Sequence, residues 1–407
     1  MPTKRTGGFL ILAAALYFLA NQTQVGWIYV MVAGILALLV VNFFYARGML
    51  SRLNIQRTCS NLADDAPSDD GVPLPNDTGL ALSTFFEDDP IEVTLQFQGV
   101  GLRPAFLIHA DEHCPFAPPE EQAQPVFIPN LFKGRPIQAN YQTTGNRRGL
   151  FAFAPLRLHS NGPFGFFSTR RTPDVPSEIL IYPYYHPLNR LRLLETRELA
   201  ERQTARVGVG TQVVGAREYR AGDSLRQVHW RSTARTGKLV VKEFAEEDQP
   251  SLSVVLDLET SSNVGQGKYS TFETAIRLAA SLGYYATRHD IPFRLVGASP
   301  KWQPPASPLS WWAVLNYLAK VQNDGQEPLA KVLESLSALP FCVVLISHPT
   351  AETVRGLNMV RQKGSQTLAI FITPNGTIPA DLHVSNATGL KTAGVSPYNW
   401  AEVLETL

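Results

Sequence analysis

Two long apolar runs open the chain. Phe9 to Ala20 is apolar throughout, and Gly7 and Gly8 extend it to about 14 residues. Trp27 to Ala46 is a second run of roughly twenty, broken only by Asn42. A membrane-spanning helix needs about 17–25 residues, so the second run suffices alone and the first is short. The polar, uncharged Asn21-Gln22-Thr23-Gln24 between them suits a tight turn, and the two runs predict a helical hairpin. Lys4 and Arg5 ahead of the first run could also mark a signal peptide. No small-x-small cleavage site follows and a second span comes at once, which favours the hairpin.

The texture then changes twice. Residues 58–80 are rich in Asp, Pro and Ser and read as a linker or a loop insertion. From about residue 90, short alternating runs are separated by turn residues: Ile91–Gln98, Pro104–Ala110, Pro125–Pro129, Gln138–Thr143, Gly149–Leu158 and Glu178–Tyr182. That spacing predicts an all-β sandwich. The prolines, concentrated before residue 190, agree with strands and loops there rather than long helices. Residues 188–214 alternate Leu188, Leu191, Leu193 and Leu194 with Arg190, Arg192 and Arg197, which predicts a helical start followed by a flexible connector.

From residue 251 strands and helices alternate. The strands are Ser251–Leu258, Phe293–Val296, Phe341–Ser347 and Thr367–Thr373. The helices are Thr271–Arg288, Leu309–Val321, Leu329–Leu336, Thr350–Lys363 and Tyr398–Leu407. Crossover helices between strands imply a mostly parallel, Rossmann-like sheet, whose ligands bind beyond the C-terminal strand ends. The predicted organisation is a transmembrane hairpin at 1–50 (spans about 7–20 and 27–46), a β-sandwich-like domain at 51–190, a connector and charged segment at 191–250, and an α/β domain at 251–407.

Charge refines this outline. With 36 Lys and Arg against 35 Asp and Glu, bulk electrostatics favours no polyanionic partner. Lys4 and Arg5 precede the hairpin, Arg47, Arg52 and Arg57 follow it, and the turn has no basic residue, so the positive-inside rule puts both ends in the cytoplasm. Cys59, Cys114 and Cys342 are scattered and odd in number, which disfavours a disulfide framework; no Cys-x-x-Cys suggests zinc. Cys342, in an apolar run, reads as a small buried hydrophobe.

One segment departs from all of this. Residues 215–244 read GAREYRAGDSLRQVHWRSTARTGKLVVKEF. Gly222 offers a turn, Asp223 is placed to N-cap a helix from Ser224, and Leu225, Val228 and Ser232 fall on one face of it. Gly237 suits the helix C-terminus, and Lys238 to Phe244 reads as a strand. Such charges are either a recognition surface or an internally paired lattice, because burying an unpaired charge costs several kcal/mol.

The segment resembles the signature of the domain-of-unknown-function 58 family. The matching positions are Gly215, Arg217, Glu218, Tyr219, Gly222, Asp223, Arg226, His229, Trp230, Ala234, Arg235, Lys238, Leu239, Val241, Lys242, Glu243 and Phe244. Gly149-Leu150-Phe151 and Asn161 to Phe167 match two further family elements. The resemblance implies a membrane hairpin, a β-rich domain and a von Willebrand factor A-like domain. It also implies association with MoxR-type AAA+ ATPases and other membrane proteins. It implies no established reaction.

A von Willebrand A domain would hold Mg²⁺ at an Asp-x-Ser-x-Ser run after the first strand and at a later acid. Here the run is Asp257-Leu258-Glu259-Thr260-Ser261, and Ser347-His348-Pro349 stands where the second acid is expected. Asp257, Ser261 and Ser347 are thus a degenerate metal site, and no resident cofactor is expected; a vestigial crevice with turn-forming residues is the plainer account.

Three readings of function follow. The first is a membrane-anchored, cytosol-facing scaffold or adaptor in the bilayer of the cytoplasmic membrane. Its signature (Arg217, Glu218, Tyr219, Gly222, Asp223, Arg226, His229, Trp230, Arg235, Lys238, Lys242 and Glu243) would bind a partner or lock the fold. The second is an enzyme with His229 as acid/base; six residues separate it from Asp223 and no nucleophile elbow is present, so no enzyme is expected. The third is nucleic-acid binding through the Arg-rich signature. Glu243, Glu246, Glu247 and Asp248 blunt that field, so none is expected.

Overall fold

The computed structural model describes residues 2–62, 84–101, 103–188, 190–191, 213–218, 228–244, 251–337, 339–378 and 390–406. They form two compact units, Met1–Tyr184 and Tyr185–Leu407.

The first unit begins with helices α1 (Lys4–Thr23) and α2 (Gly26–Met49), both long and apolar enough to cross a membrane. Gln24 turns the chain in the left-handed region, its N–H donating to the Ala20 carbonyl. Strands β1 (Leu53–Asn61), β2 (Phe85–Phe86), β3 (Pro90–Gly99), β4 (Ala105–His113), β5 (Ala123–Leu131), β6 (Ile137–Thr144), β7 (Gly149–Ala152), β8 (Arg157–Ser160), β9 (Thr169–Arg171) and β10 (Glu178–Tyr182) follow. They build three sheets, ordered β1-β3-β6, β5-β4-β8-β9 and β2-β10-β7. All pairings are antiparallel except β2 with β10.

Strict alternation on β3 (Ile91, Val93, Leu95 and Phe97 inward) gives one buried face. Leu53, Ile55, Leu95 and Phe97 share one apolar core with Ile108, Ala110, Ile128, Leu131 and Leu158, so the first two sheets bury their faces together. Met49 and Leu50, at the end of α2, enter that same core.

Two expectations change here. Residues 58–61 belong to β1 rather than to a linker, and the run 149–158 is two strands. β1 escaped notice because its third inward residue is Arg57. That side chain is buried: its Nε lies 2.8 Å from Glu112 Oε1, its Nη1 donates to the Val175 carbonyl, and its guanidinium sits 4.2 Å over the Phe153 ring. Burial pushes the Glu112 carboxyl up, and the Arg57 partner opposes it.

In the second unit, β11 (Val213–Glu218) pairs antiparallel with β12 (Val240–Phe244), and helix α3 (Trp230–Thr236) lies between them in the chain. The predicted connector thus becomes a strand at 213, while most of 188–214 lies outside the described residues. Then come β13 (Leu252–Leu256), α4 (Thr271–Arg288), β14 (Phe293–Val296), α5 (Trp311–Lys320), α6 (Leu329–Ser335), β15 (Phe341–Ile346), α7 (Ala351–Gln362), β16 (Gln366–Ile372), β17 (Leu390–Val395) and α8 (Trp400–Thr406). The five strands form one wholly parallel sheet in the order β14-β13-β15-β16-β17.

β13 and β15 are buried at every position, as strands covered on both faces must be. Leu329, Val332 and Leu333 of α6 and Leu357 and Val360 of α7 pack with Val255, Val344, Ile346 and Phe371 in one cluster. α4 packs on β13, β14 and β16. Ser270 caps α4 by accepting from the Glu273 N–H, and this Ser-x-x-Glu start marks the helix end in the sequence. Cys342 is fully buried in β15, its thiol pushed up to about 12 by burial, and the three cysteines are free.

Candidate functional site

The signature builds a small pinned module. α3 has seven residues, too few to hold a helix without outside contacts. Its start is fixed twice by His229: the backbone N–H donates to the Val240 carbonyl at 2.8 Å, and ring Nδ1 accepts from the Ser232 N–H at 3.2 Å. Thr233 Oγ1 accepts from the Val240 N–H, tying the helix to β12 again. Gly237, at φ 71°, closes the helix by donating to the Thr233 carbonyl.

The expected helix start, Asp223 and Ser224, lies outside the described residues. The helix begins at Trp230 and the cap is His229; Val228, expected on its apolar face, precedes it as a buried residue. Tyr219, Gly222, Asp223 and Arg226 lie outside the described residues. Arg217 and Glu218 pair across the ribbon with Val241 and Val240, and Lys242 and Glu243 with Ala216 and Gly215. Trp230 is 67% exposed, and Arg231, Arg235 and Lys238 are exposed with it.

A second locus lies at the C-terminal edge of the parallel sheet. Numbering its strands in chain order gives 2-1-3-4-5. The chain leaves β13 towards one neighbour and returns to the other, so a crevice opens between the ends of β13 and β15. Asp257 and Ser347 are the residues immediately after those two strands, 2% and 3% exposed. Burial holds the Asp257 carboxyl above the usual aspartate range; the Glu259 N–H, 3.3 Å from its Oδ1, opposes that and the Glu259 carboxylate adds to it. Ser347 Oγ is buried without a hydrogen-bond partner. Ser261 is exposed, its hydroxyl donating to Glu259 Oε1 at 2.5 Å, so it does not join Asp257 and Ser347 inside.

The sequence reading missed the loop that walls this edge. Gly325 donates to the Leu258 carbonyl and accepts from the Thr260 N–H. A Cβ there would lie 2.6 Å from the carbonyl oxygens of Ala298 and Leu258, so only glycine fits. Beside it, Asp324 Oδ1 accepts from the Ser299 hydroxyl at 2.7 Å, while its Oδ2 is buried without a partner. The signal was the turn triplet Asn323-Asp324-Gly325. Among the described residues, no three His, Cys, Asp or Glu side chains gather to hold a metal ion. At this edge Asp257 offers a buried carboxylate and Ser347 an orphaned hydroxyl.

The molecule is thus of the class that joins two apolar N-terminal helices and a sheet-rich region to a parallel α/β domain. Residues 215–309 match the model of the family described as "Protein of unknown function DUF58". No curated protein matches the chain. Among solved structures, the GH20 exo beta-N-acetylglucosaminidase from Vibrio harveyi, in complex with N-acetylglucosamine, is similar at 9% identity and a TM-score of 0.21. The match covers 85% of this chain and 63% of that one, and a score so low carries no argument about fold or activity.

Proposed function

We infer that the chain is a membrane-anchored scaffold or adaptor that presents its soluble units to a protein partner. The carrying observation is Trp230: a large aromatic left in water, flanked by exposed Arg231 and Arg235, on a helix tied to β12 at His229 and Thr233. Exposed Trp and Arg on a preorganised element are the residues that dominate binding energy at interfaces. The cap made by His229 supports the same reading, because its Nδ1 is already engaged by the Ser232 N–H.

In this reading the hairpin crosses the cytoplasmic membrane twice, with both ends in the cytoplasm, as Lys4, Arg5 and Arg47 favour. The β-rich unit is a sandwich, the α/β domain is von Willebrand factor A-like, and the partner is a MoxR-type AAA+ ATPase, as the family resemblance implies. The test is capture of the detergent-solubilised full chain from its native membranes, followed by mass spectrometry. An AAA+ ATPase should be recovered with the native protein and lost with Trp230→Ala/Arg235→Ala, while the melting temperature stays unchanged. Equal recovery with both proteins would remove the signature helix as the docking element, and no ATPase with either would remove the partner.

A further inference from the structure

The end of the hairpin away from its turn is set into the first unit by the segment 161–171. Thr3 N–H donates to the Phe166 carbonyl, the Thr6 hydroxyl donates to the same oxygen, and the Thr3 hydroxyl donates to the Gly165 carbonyl. On the other helix, the Thr169 hydroxyl donates to the Ala46 carbonyl and Arg171 to the Leu50 carbonyl. Phe166 stacks edge-on to Phe9, and Phe167 to Phe43. One rigid segment thus wedges against both helices at the same level.

An open cleft lies on each side of this wedge. One, of about 430 Å³, is lined by Phe43, Ala46, Arg47, Phe167, Thr169 and Arg170. The other, of about 470 Å³, is lined by Thr3, Lys4, Arg5, Leu107, Asn161 and Phe164. Each cleft has two cations, an aromatic wall and no acid. Arg171 and Arg103 are spent on backbone carbonyls of α2 and its end, whereas Lys4, Arg5, Arg47 and Arg170 make no ion pair among the described residues. Gly165, at φ 77°, leaves room for Arg5 to fold over it: a Cβ would lie 2.9 Å from the Arg5 guanidinium.

A helix of 20 residues is about 30 Å long, the thickness of a bilayer core. Its charged end therefore lies at headgroup level, and so do both clefts. We propose that they bind anionic phospholipid headgroups: the phosphodiester between the paired cations, the first acyl carbons against Phe43 and Phe167 on one side and Phe164 on the other. Solvated cations alone would satisfy the orientation rule; walls built by a pinned segment add shape. The aromatic wall favours a lipid over a free phosphate, which has no use for it. The inference rests on the anchoring half of the proposed function and not on its partner.

The experiment is native mass spectrometry of the full chain in detergent, titrated with phosphatidylglycerol, phosphatidylcholine or inorganic phosphate. Phosphatidylglycerol should bind about tenfold more tightly than phosphatidylcholine, the scale expected of two cations near one anionic group. Arg47→Gln/Arg170→Gln should remove most of that preference at one cleft and Lys4→Gln/Arg5→Gln at the other. Arg47→Lys/Arg170→Lys should keep it, which guards against a misfolded Gln variant, and the exposed pair Arg288→Gln/Arg355→Gln should change nothing. Equal binding of both lipids, an unaffected Gln variant, or displacement by millimolar phosphate would each overturn the site. Carbonate washing of native membranes separates the two claims. Protein released by the wash defeats anchoring itself, while retained protein without lipid preference defeats only the headgroup site.

Discussion

Buried charges of the β-rich unit and polar groups at the α/β strand ends sit in different settings. In the β-rich unit the charges inside answer one another across long sequence separations. Arg57 on β1 meets Glu112 on β4, and Glu87 accepts from the backbone N–H groups of Arg148 and Tyr184. At the strand ends of the α/β domain, Ser347 Oγ and Asp324 Oδ2 are buried with nothing to bond. Unmet acceptors cost free energy, so a fold keeps them where something else needs them. The contrast separates polar groups that hold a sheet together from polar groups that leave a crevice chemically open.

The strongest way to break the contrast is to remove one side of the paired charge. Glu112→Ala leaves the Arg57 guanidinium buried without a counter-charge, and should destabilise the first unit by about 3–5 kcal/mol. The measurement is thermal unfolding of the full chain in detergent, with limited proteolysis reporting which unit opens first. If the first unit melts where the native protein does, the pair is not holding the sheets. Next in size is Gly325→Ala, which forces a methyl group against two carbonyl oxygens and should cost about 1–3 kcal/mol in the second unit alone. An unchanged transition would mean that the Asn323–Gly325 turn relaxes freely and does not fix the crevice wall.

How far the sequence anticipates this depends on whether local pattern or distant pairing decides each element. The ends of α4 and β14 are predicted as found, because α4 carries its own capping pair Ser270 and Glu273 and an apolar stripe. The hairpin is legible from length and composition alone. β17 is not: Leu390-Lys391-Thr392-Ala393-Gly394-Val395 has little apolar pattern and is a strand because β16 templates it. β11 is hidden for the same reason, pairing with β12 some twenty residues further along the chain. β1 is hidden by Arg57, whose inward place makes sense only once Glu112 is seen opposite. In the crevice, Asp257 and Ser347 could be named from strand ends, but Asp324 and Ser299 meet through a fold-dependent loop.

His229 sharpens the comparison at a third place, where a polar side chain is used to end a helix rather than to fill a core. His229→Ala should cost about 1 kcal/mol, the usual loss of an N-cap, and His229→Asn should restore most of it. Hydrogen exchange at the Ser232 amide is the local readout and should speed up in the Ala variant only. If Asn fails to rescue while stability is unchanged, the ring has a role beyond capping.

The smallest expected effect tests the open crevice itself. Burial raises the Asp257 pKa in the folded protein above its unfolded value, so the fold grips the proton more tightly than the unfolded chain does. The stability this contributes is fully present below the ordinary aspartate range, near pH 4, and is lost as pH rises through the folded-state pKa. At pH 7 the buried carboxylate is therefore a net cost. Asp257→Asn keeps an oxygen for the Glu259 N–H and removes the charge. It should raise the melting temperature by roughly 2–4 °C at pH 7, with the gain shrinking towards pH 4. A loss of stability at pH 7 would reverse the argument. It would mean that the native protein uses the negative charge, and the orphaned Ser347 hydroxyl beside it would then mark the place where a cationic group docks.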